Sequence, residues 1–207
     1  MTKALRPTLK LMPFLLLAAC AAAAKVLYPV NEDAFNAKPG DYLLDGEHAT
    51  VIFGLDHMGF STFYGRFDTL EGRLSYGGDT PTDSEVAIRI LTASVNTGSS
   101  ALDEDLRGKA MFDSAAYPAA SFTSTKVTQT GEKTGTVDGL LTIKDVTKPV
   151  TLAVTFGGSG THPLTGMKTV GFNATGMIRR SDFGLSRWLP FVGDEVSLII
   201  EAEFTRK

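Results

Sequence analysis

Three histidines, one cysteine and a scatter of Ser, Asp, Glu and Arg are the residues of this chain that could do covalent or acid–base chemistry, and their spacing argues against it. His48, His57 and His162 form no i, i+2 or i, i+4 pair of the kind that ligates a metal. Gly157-Gly158-Ser159-Gly160-Thr161 lacks the last glycine of a nucleophile elbow and reads as a turn. No glycine-rich phosphate loop opens a helix. Asp103, Glu104 and Asp105 fall in the first turn of a short helix, where carboxylates face the positive end of the backbone dipole. Cys20 is the single cysteine and lies in an apolar leader, so no disulfide, CxxC motif or cysteine-rich zinc site can form. What remains is aromatic residues interleaved with a few polar groups. One such set is Asp56-His57-Met58-Gly59-Phe60-Ser61, followed by Tyr64-Gly65-Arg66-Phe67; the other runs from Arg179 to Phe191. Each aromatic is also a plain core residue, and Arg180 with Asp182 reads as a salt bridge or as turn hydrogen bonds. Apolar walls with a few polar groups are nevertheless how sites for lipophilic ligands are built.

The elements that must position these residues are strands. The chain has 207 residues, 43% of them apolar, enough for one ordinary core. Its 24 Thr, 21 Gly and 13 Phe make a β-rich, turn-rich mixture. With 20 Lys+Arg against 23 Asp+Glu, the net charge of -3 argues against nucleic acid as a partner. Period-two alternation marks strands around Val86–Ile90, Val137–Ile143, Leu152–Phe156, Phe172–Ile178 and Val196–Phe204. Further strands are predicted at Thr50–Gly54, Gly65–Tyr76 and Ser121–Thr128, for about eight in all. Gly77-Gly78-Asp79, Thr130-Gly131-Glu132 and Gly157–Gly160 read as the turns between them. A short helix is predicted near 100–108, with Ser99 and Ser100 as caps and a Leu102/Leu106 pair at i, i+4. The absence of long helices between strands excludes a doubly wound α/β fold. Alternation alone does not choose between a barrel and a sandwich, nor which parity faces inward where both are apolar, as at Leu140/Leu141 and Ile199/Ile200.

The first residues have a different character. Lys3, Arg6 and Lys10 precede an apolar run, Leu11 to Ala19, far shorter than the ~20 residues that cross a bilayer. Residues 1–19 therefore read as an export signal. Leu17-Ala18-Ala19-Cys20 resembles a bacterial lipobox, which implies a lipid-modified Cys20, a membrane tether and, with Ala21 next, an outer-membrane destination. Cleavage within Ala22–Ala24 to give a soluble periplasmic protein is the alternative. Residues 20–40 then read as a tether with little pattern, and 41–207 as one domain.

An ordered series of motifs carries a further resemblance. Asp45-Gly-Glu-His48-Ala-Thr-Val-Ile-Phe53, His57-Met-Gly-Phe-Ser61, Gly65-Arg-Phe67, Phe112 to Phe122, Gly139 to Ile143, Val146 to Val150 and Arg180-Ser-Asp-Phe-Gly-Leu185 resemble, in order, the YceI-like family. The resemblance implies an all-β, lipocalin-like antiparallel barrel, exported, with no catalytic cofactor. It further implies a polyisoprenoid, prenyl quinone or other long-chain lipid in the lumen for storage or transport in the cell envelope, and it allows a homodimer. On that reading Phe53, Phe67, Phe122, Phe172, Phe183 and Trp188 are candidates for the lumen wall, and His57, Arg180 and Asp182 for its polar mouth. Where the family commonly carries an Arg…His-Leu-Arg pattern this chain has Leu102-Asp-Glu-Asp105-Leu106-Arg107, which bears on headgroup preference. Two other readings stand beside the carrier: an envelope enzyme acting on a lipid or quinone through His57 or Arg180, and a structural or stress-related barrel filled by its own side chains.

Overall fold

A computed structural model describes residues 26–206; residues 1–19, read above as an export signal, and Cys20 lie outside them. Hydrogen bonding divides the sheet into eleven strands: β1 (Gly40–Leu44), β2 (Thr50–His57), β3 (Ser61–Phe67), β4 (Leu70–Tyr76), β5 (Glu85–Leu91), β6 (Val95–Asn96), β7 (Ala119–Gln129), β8 (Thr134–Ile143), β9 (Val146–Thr161), β10 (Lys168–Arg179) and β11 (Val192–Arg206). Three consecutive pairs are halves of single bent staves. β11 pairs with β2 along Val196–Glu201 and with β1 along Phe204–Arg206, so β1 and β2 follow one line. β3 and β4 lie next to them in the same way, and β5 runs on into β6. The result is eight antiparallel staves in up-and-down order, closed where β11 meets β1/β2. Among the described residues closure leaves no long open edge, and it fixes an inside and an outside.

The bends have local causes. Thr69 donates its N–H to the Ser94 hydroxyl and Asp68 donates to the Ser94 carbonyl, so backbone groups that would continue the ladder are taken up at the kink. This splits the predicted strand Gly65–Tyr76 in two. A hairpin of Met58 and Gly59, both at positive φ, joins β2 to β3 with the geometry that suits the twist of the flanking strands. The glycine run Gly157–Gly160 is not a turn but part of β9, and the turn follows at 162–167. Gly158 has φ +147°, and a Cβ there would meet Val30 at 2.4 Å, so the glycines let the N-terminal segment lie against the strand. Asn31 bridges Ser159 at this point. Residues 31–37, which sequence patterning assigned to a tether, thus dock on the barrel, with Ala34 and Ala37 buried and Tyr76 donating to the Ala34 carbonyl.

Helix α1 (Ser100–Arg107) and the segment to Pro118 cover one end of the barrel between β6 and β7. Leu106, Met111 and Phe112 pack there with Phe67, Phe183 and Leu185. A second cluster sits at the opposite end, where Tyr76, Phe156, Phe172 and Phe204 pack with ring centroids 5.5–6.4 Å apart. Between the two clusters the lumen is open.

Candidate ligand site in the barrel lumen

Each stave turns chiefly one parity inward. β11 sends in Val196, Leu198, Ile200, Ala202 and Phe204; Ser197, Ile199 and Glu203 face out, and Glu201 between them is exposed at the edge of the cavity. On β8, Leu141 is inside while Leu140 remains 45% exposed outside. Two glycines make room for lumen rings. A Cβ at Gly139 would come within 2.3 Å of the Phe122 ring, and one at Gly65 within 2.3 Å of the Phe53 ring.

These walls enclose a cavity of about 310 Å³, at the lower end of the range for small-molecule pockets. Its wall is aliphatic and aromatic over nearly its whole extent. Tyr76 contributes a phenol that burial pushes up to about 12, so it stays neutral. The lining changes character at one margin. Ser84 and Glu85 on one side and Gln129, Gly131, Glu132, Lys133 and Thr134 on the other line the cavity, and all but Ser84 are exposed. β5 pairs with β7 as far as Thr123, a bulge follows between Ser124 and Lys126, and beyond it β7 runs on beside residues 81–83 of the β4–β5 loop. The rim lies between that loop and the turn of the β7–β8 hairpin. Lys133 at its tip pairs with Glu32 of the N-terminal segment.

The sequence-predicted site residues fall into two groups. Phe53, Phe67, Phe122 and Phe172 line the cavity. Phe183 and Trp188 do not; Phe183 is buried in the cluster beneath the helix and Trp188 packs against that cluster. Of the three residues expected at a polar mouth, only Arg180 reaches the cavity, and it does so at the helix-covered end, opposite the rim. His57 closes β2 beside the ring of Phe63, with centroids 6.3 Å apart, and Asp182 is an exposed residue of the turn that follows β10. None of the three histidines lines the cavity. The rim itself lay in segments that sequence patterning marked only as turns.

Arg180 is 4% exposed and does not pair with Asp182. Its Nε donates to Gly193 O at 2.7 Å, Nη1 to Leu185 O at 2.5 Å and Arg187 O at 2.7 Å, and Nη2 to Val192 O at 2.8 Å. One side chain thus gathers the carbonyls of the whole loop between β10 and β11. Burial pulls its pKa below the ordinary value, and the charge of Asp194 partly offsets this. Asp194 is itself held low, chiefly because its carboxylate accepts the Ser181 hydroxyl at 2.7 Å. Asp105, the residue standing where a family histidine was expected, pairs with Arg187 at 3.0 Å and ties the helix to this loop. The Arg187 guanidinium in turn lies 4.5 Å from the Trp188 ring centroid.

Comparison with known proteins matches residues 42–204 to the model of the YceI-like domain. Protein YceI of Escherichia coli O157:H7 is 38% identical over 172 residues, covering 82% of this chain and 89% of that one. Among solved structures, Burkholderia cenocepacia BcnA superposes with a TM-score of 0.70 at 24% identity, covering 77% of this chain and 98% of its own. A polyisoprenoid binding domain from Saccharophagus degradans, implicated in plant cell wall breakdown, superposes with a TM-score of 0.62 at 19% identity, covering 82% of this chain and all of that one. At these identities the two structures speak to the fold alone.

Proposed function

The chain belongs to the YceI-like family, and from that footing we propose that it binds a long-chain isoprenoid, prenylated quinone or related lipid in the barrel lumen, for storage or transport in the bacterial cell envelope. The observation that carries this reading is the 310 Å³ apolar cavity, which runs from beneath the helix to an exposed rim. A barrel filled by its own side chains has no use for such a space. The energetics need no covalent step. Burying ten carbons at about 0.8 kcal/mol per CH₂ yields about 8 kcal/mol before ordering costs. That is the scale of micromolar binding. A domain of the same fold is described as polyisoprenoid binding, and a ligand of that class suits these apolar walls.

Native mass spectrometry of residues 25–207, made in a bacterial host and purified without detergent, tests the reading. The expected spectrum holds a discrete adduct that extracts into organic solvent as a prenyl lipid, a quinone or a fatty amide. A protein that arrives empty and takes up no added prenyl quinone would refute the carrier.

The same proposal places the protein outside the inner membrane. Residues 1–19 direct export, and a diacylated Cys20 anchors the barrel, with a soluble periplasmic form as the alternative. Cys20→Ser is expected to abolish incorporation of radiolabelled palmitate and to shift the protein from the membrane pellet to the soluble fraction. Equal partitioning of variant and wild type would assign it to the soluble form.

A further inference from the structure

We infer that the ligand lies headgroup-first, with a hydrogen-bond-accepting headgroup (a quinone or amide carbonyl, or a phosphate oxygen) against Arg180 beneath the helix and its chain running toward the rim. The inference rests on the carrier reading and adds an orientation and a headgroup class to it.

The donor count of one side chain carries the argument. A guanidinium offers five N–H groups. Arg180 uses one on Nε, two on Nη1 and one on Nη2 for loop carbonyls, which leaves the second N–H of Nη2 without an acceptor among the described residues. The carboxylates in the neighbourhood are engaged elsewhere: Asp194 accepts Ser181 and pairs with Arg179, and Asp105 pairs with Arg187. The other charged residues lining the cavity, Glu85, Glu132, Lys133 and Glu201, are all exposed. Among the described residues Arg180 is therefore the one buried charged side chain that lines the cavity, and its remaining N–H is the donor left there for a ligand's acceptor. The opposite end repels one. Glu85 and Glu132 stand at the rim, and the lysine between them and the N-terminal segment is neutralised by Glu32. An anionic or electron-rich headgroup is thus drawn inward and an apolar tail is left nearer the opening. The register places the two ends seven residues apart along β10, from Asn173, level with Thr134, to Arg180. At about 3.4 Å per residue, less the strand tilt, that is roughly 20 Å.

The single tryptophan reports on this directly. Trp188 follows Arg187, whose carbonyl accepts from Arg180, and packs at the helix-covered end. A benzoquinone quenches an indole only at short range, and so does a covalently bound bromine. The experiment titrates delipidated residues 25–207 with a benzoquinone bearing a ten-carbon tail, and separately with 12-bromododecanamide, whose bromine sits at the far end of its chain. Binding is read in parallel by native mass spectrometry. Head-in binding predicts at least a fivefold loss of Trp188 emission in the quinone complex and less than a 1.5-fold loss in the bromoamide complex. The reverse pattern, or a bound quinone that leaves the emission intact, overturns the orientation while the carrier reading stands. Failure of both probes to bind overturns the orientation and the carrier reading together. Arg180→Lys supplies a second readout: if it remains folded, quinone affinity falls about tenfold while affinity for dodecane is unchanged. An equal fall for both probes would make Arg180 a structural clamp with no headgroup role.

Discussion

Arg180→Met is expected to lower the stability of the barrel by about 3–5 kcal/mol, the largest loss from any single truncation near the site. The side chain supplies the donors for the carbonyls of Leu185, Arg187, Val192 and Gly193. Removing it leaves these acceptors in a region where Phe183 and Leu185 are buried and little water can replace it. A buried acceptor stripped of its partner costs about 1–3 kcal/mol. The more exposed ones, at Arg187 and Val192, can turn to solvent, so the sum stays below four times that figure. Methionine keeps the apolar stem and removes only the donors, which isolates the hydrogen-bonding contribution. Lysine, with three donors on a point charge, should lie between the two. Urea midpoints at constant slope measure the effect. A loss under 1 kcal/mol would mean that the loop carries its own carbonyls and that Arg180 is free to serve a ligand with all its donors.

Much of this fold was legible in the sequence because a closed barrel with an apolar lumen writes itself in period two. Val196, Leu198, Ile200, Ala202 and Phe204 alternate in the sequence and all point inward. The helix was legible from Leu102 and Leu106, which face the core as a pair. Parity was not legible, because apolar residues also stand outside. Ile199 is 37% exposed and Met177 60%, so alternation in composition is weaker than alternation in space. The kink between β3 and β4 was hidden because the Ser94 hydroxyl and carbonyl take up backbone N–H groups of Thr69 and Asp68, far away in the chain. The glycine run was misread as a turn because glycine marks both a bend and a place where another backbone comes close, and only the docked N-terminal segment tells them apart.

The candidate site divides along the same line. Four of the six predicted lumen aromatics sit on strands, where the inward parity carries them to the cavity; Phe183 and Trp188 sit on the connecting segment and seal an end instead. Arg180 was singled out as a polar group near an apolar site, yet its carbonyl partners lie up to 13 residues away along a loop whose folding back no local pattern encodes. The rim was missed because Glu85 and the β7–β8 turn gain their role only from the pairing that brings the β4–β5 loop beside the end of β7, which no local pattern encodes.

Filling the lumen with Ala174→Trp is expected to weaken ligand binding about 100-fold while the barrel stays folded. Ala174 is a small residue at an inward position, midway along β10 between Val154 and Ile200, and all three line the cavity. An indole there projects into the existing space rather than into packed neighbours. The overpacking cost should remain near 1–2 kcal/mol. It excludes three or four methylenes of a bound chain, worth about 3 kcal/mol at 0.8 kcal/mol each, and 1.4 kcal/mol is a factor of ten in affinity. Thr175→Trp is the matched control, since the next residue along the strand is exposed on the outer face. It should leave affinity unchanged. Phe122→Arg, the blunter way to block the lumen, is a poor test of binding. Phe122 is 7% exposed and its ring lies over Gly139, so the guanidinium would be buried without a partner and the expected result is an unfolded chain. Quinone affinities and urea midpoints of the two tryptophan variants decide the matter. If Ala174→Trp folds and binds as the wild type does, the chain does not occupy the lumen, and the outer apolar surface around Ile199 and Met177 becomes the place to look for it.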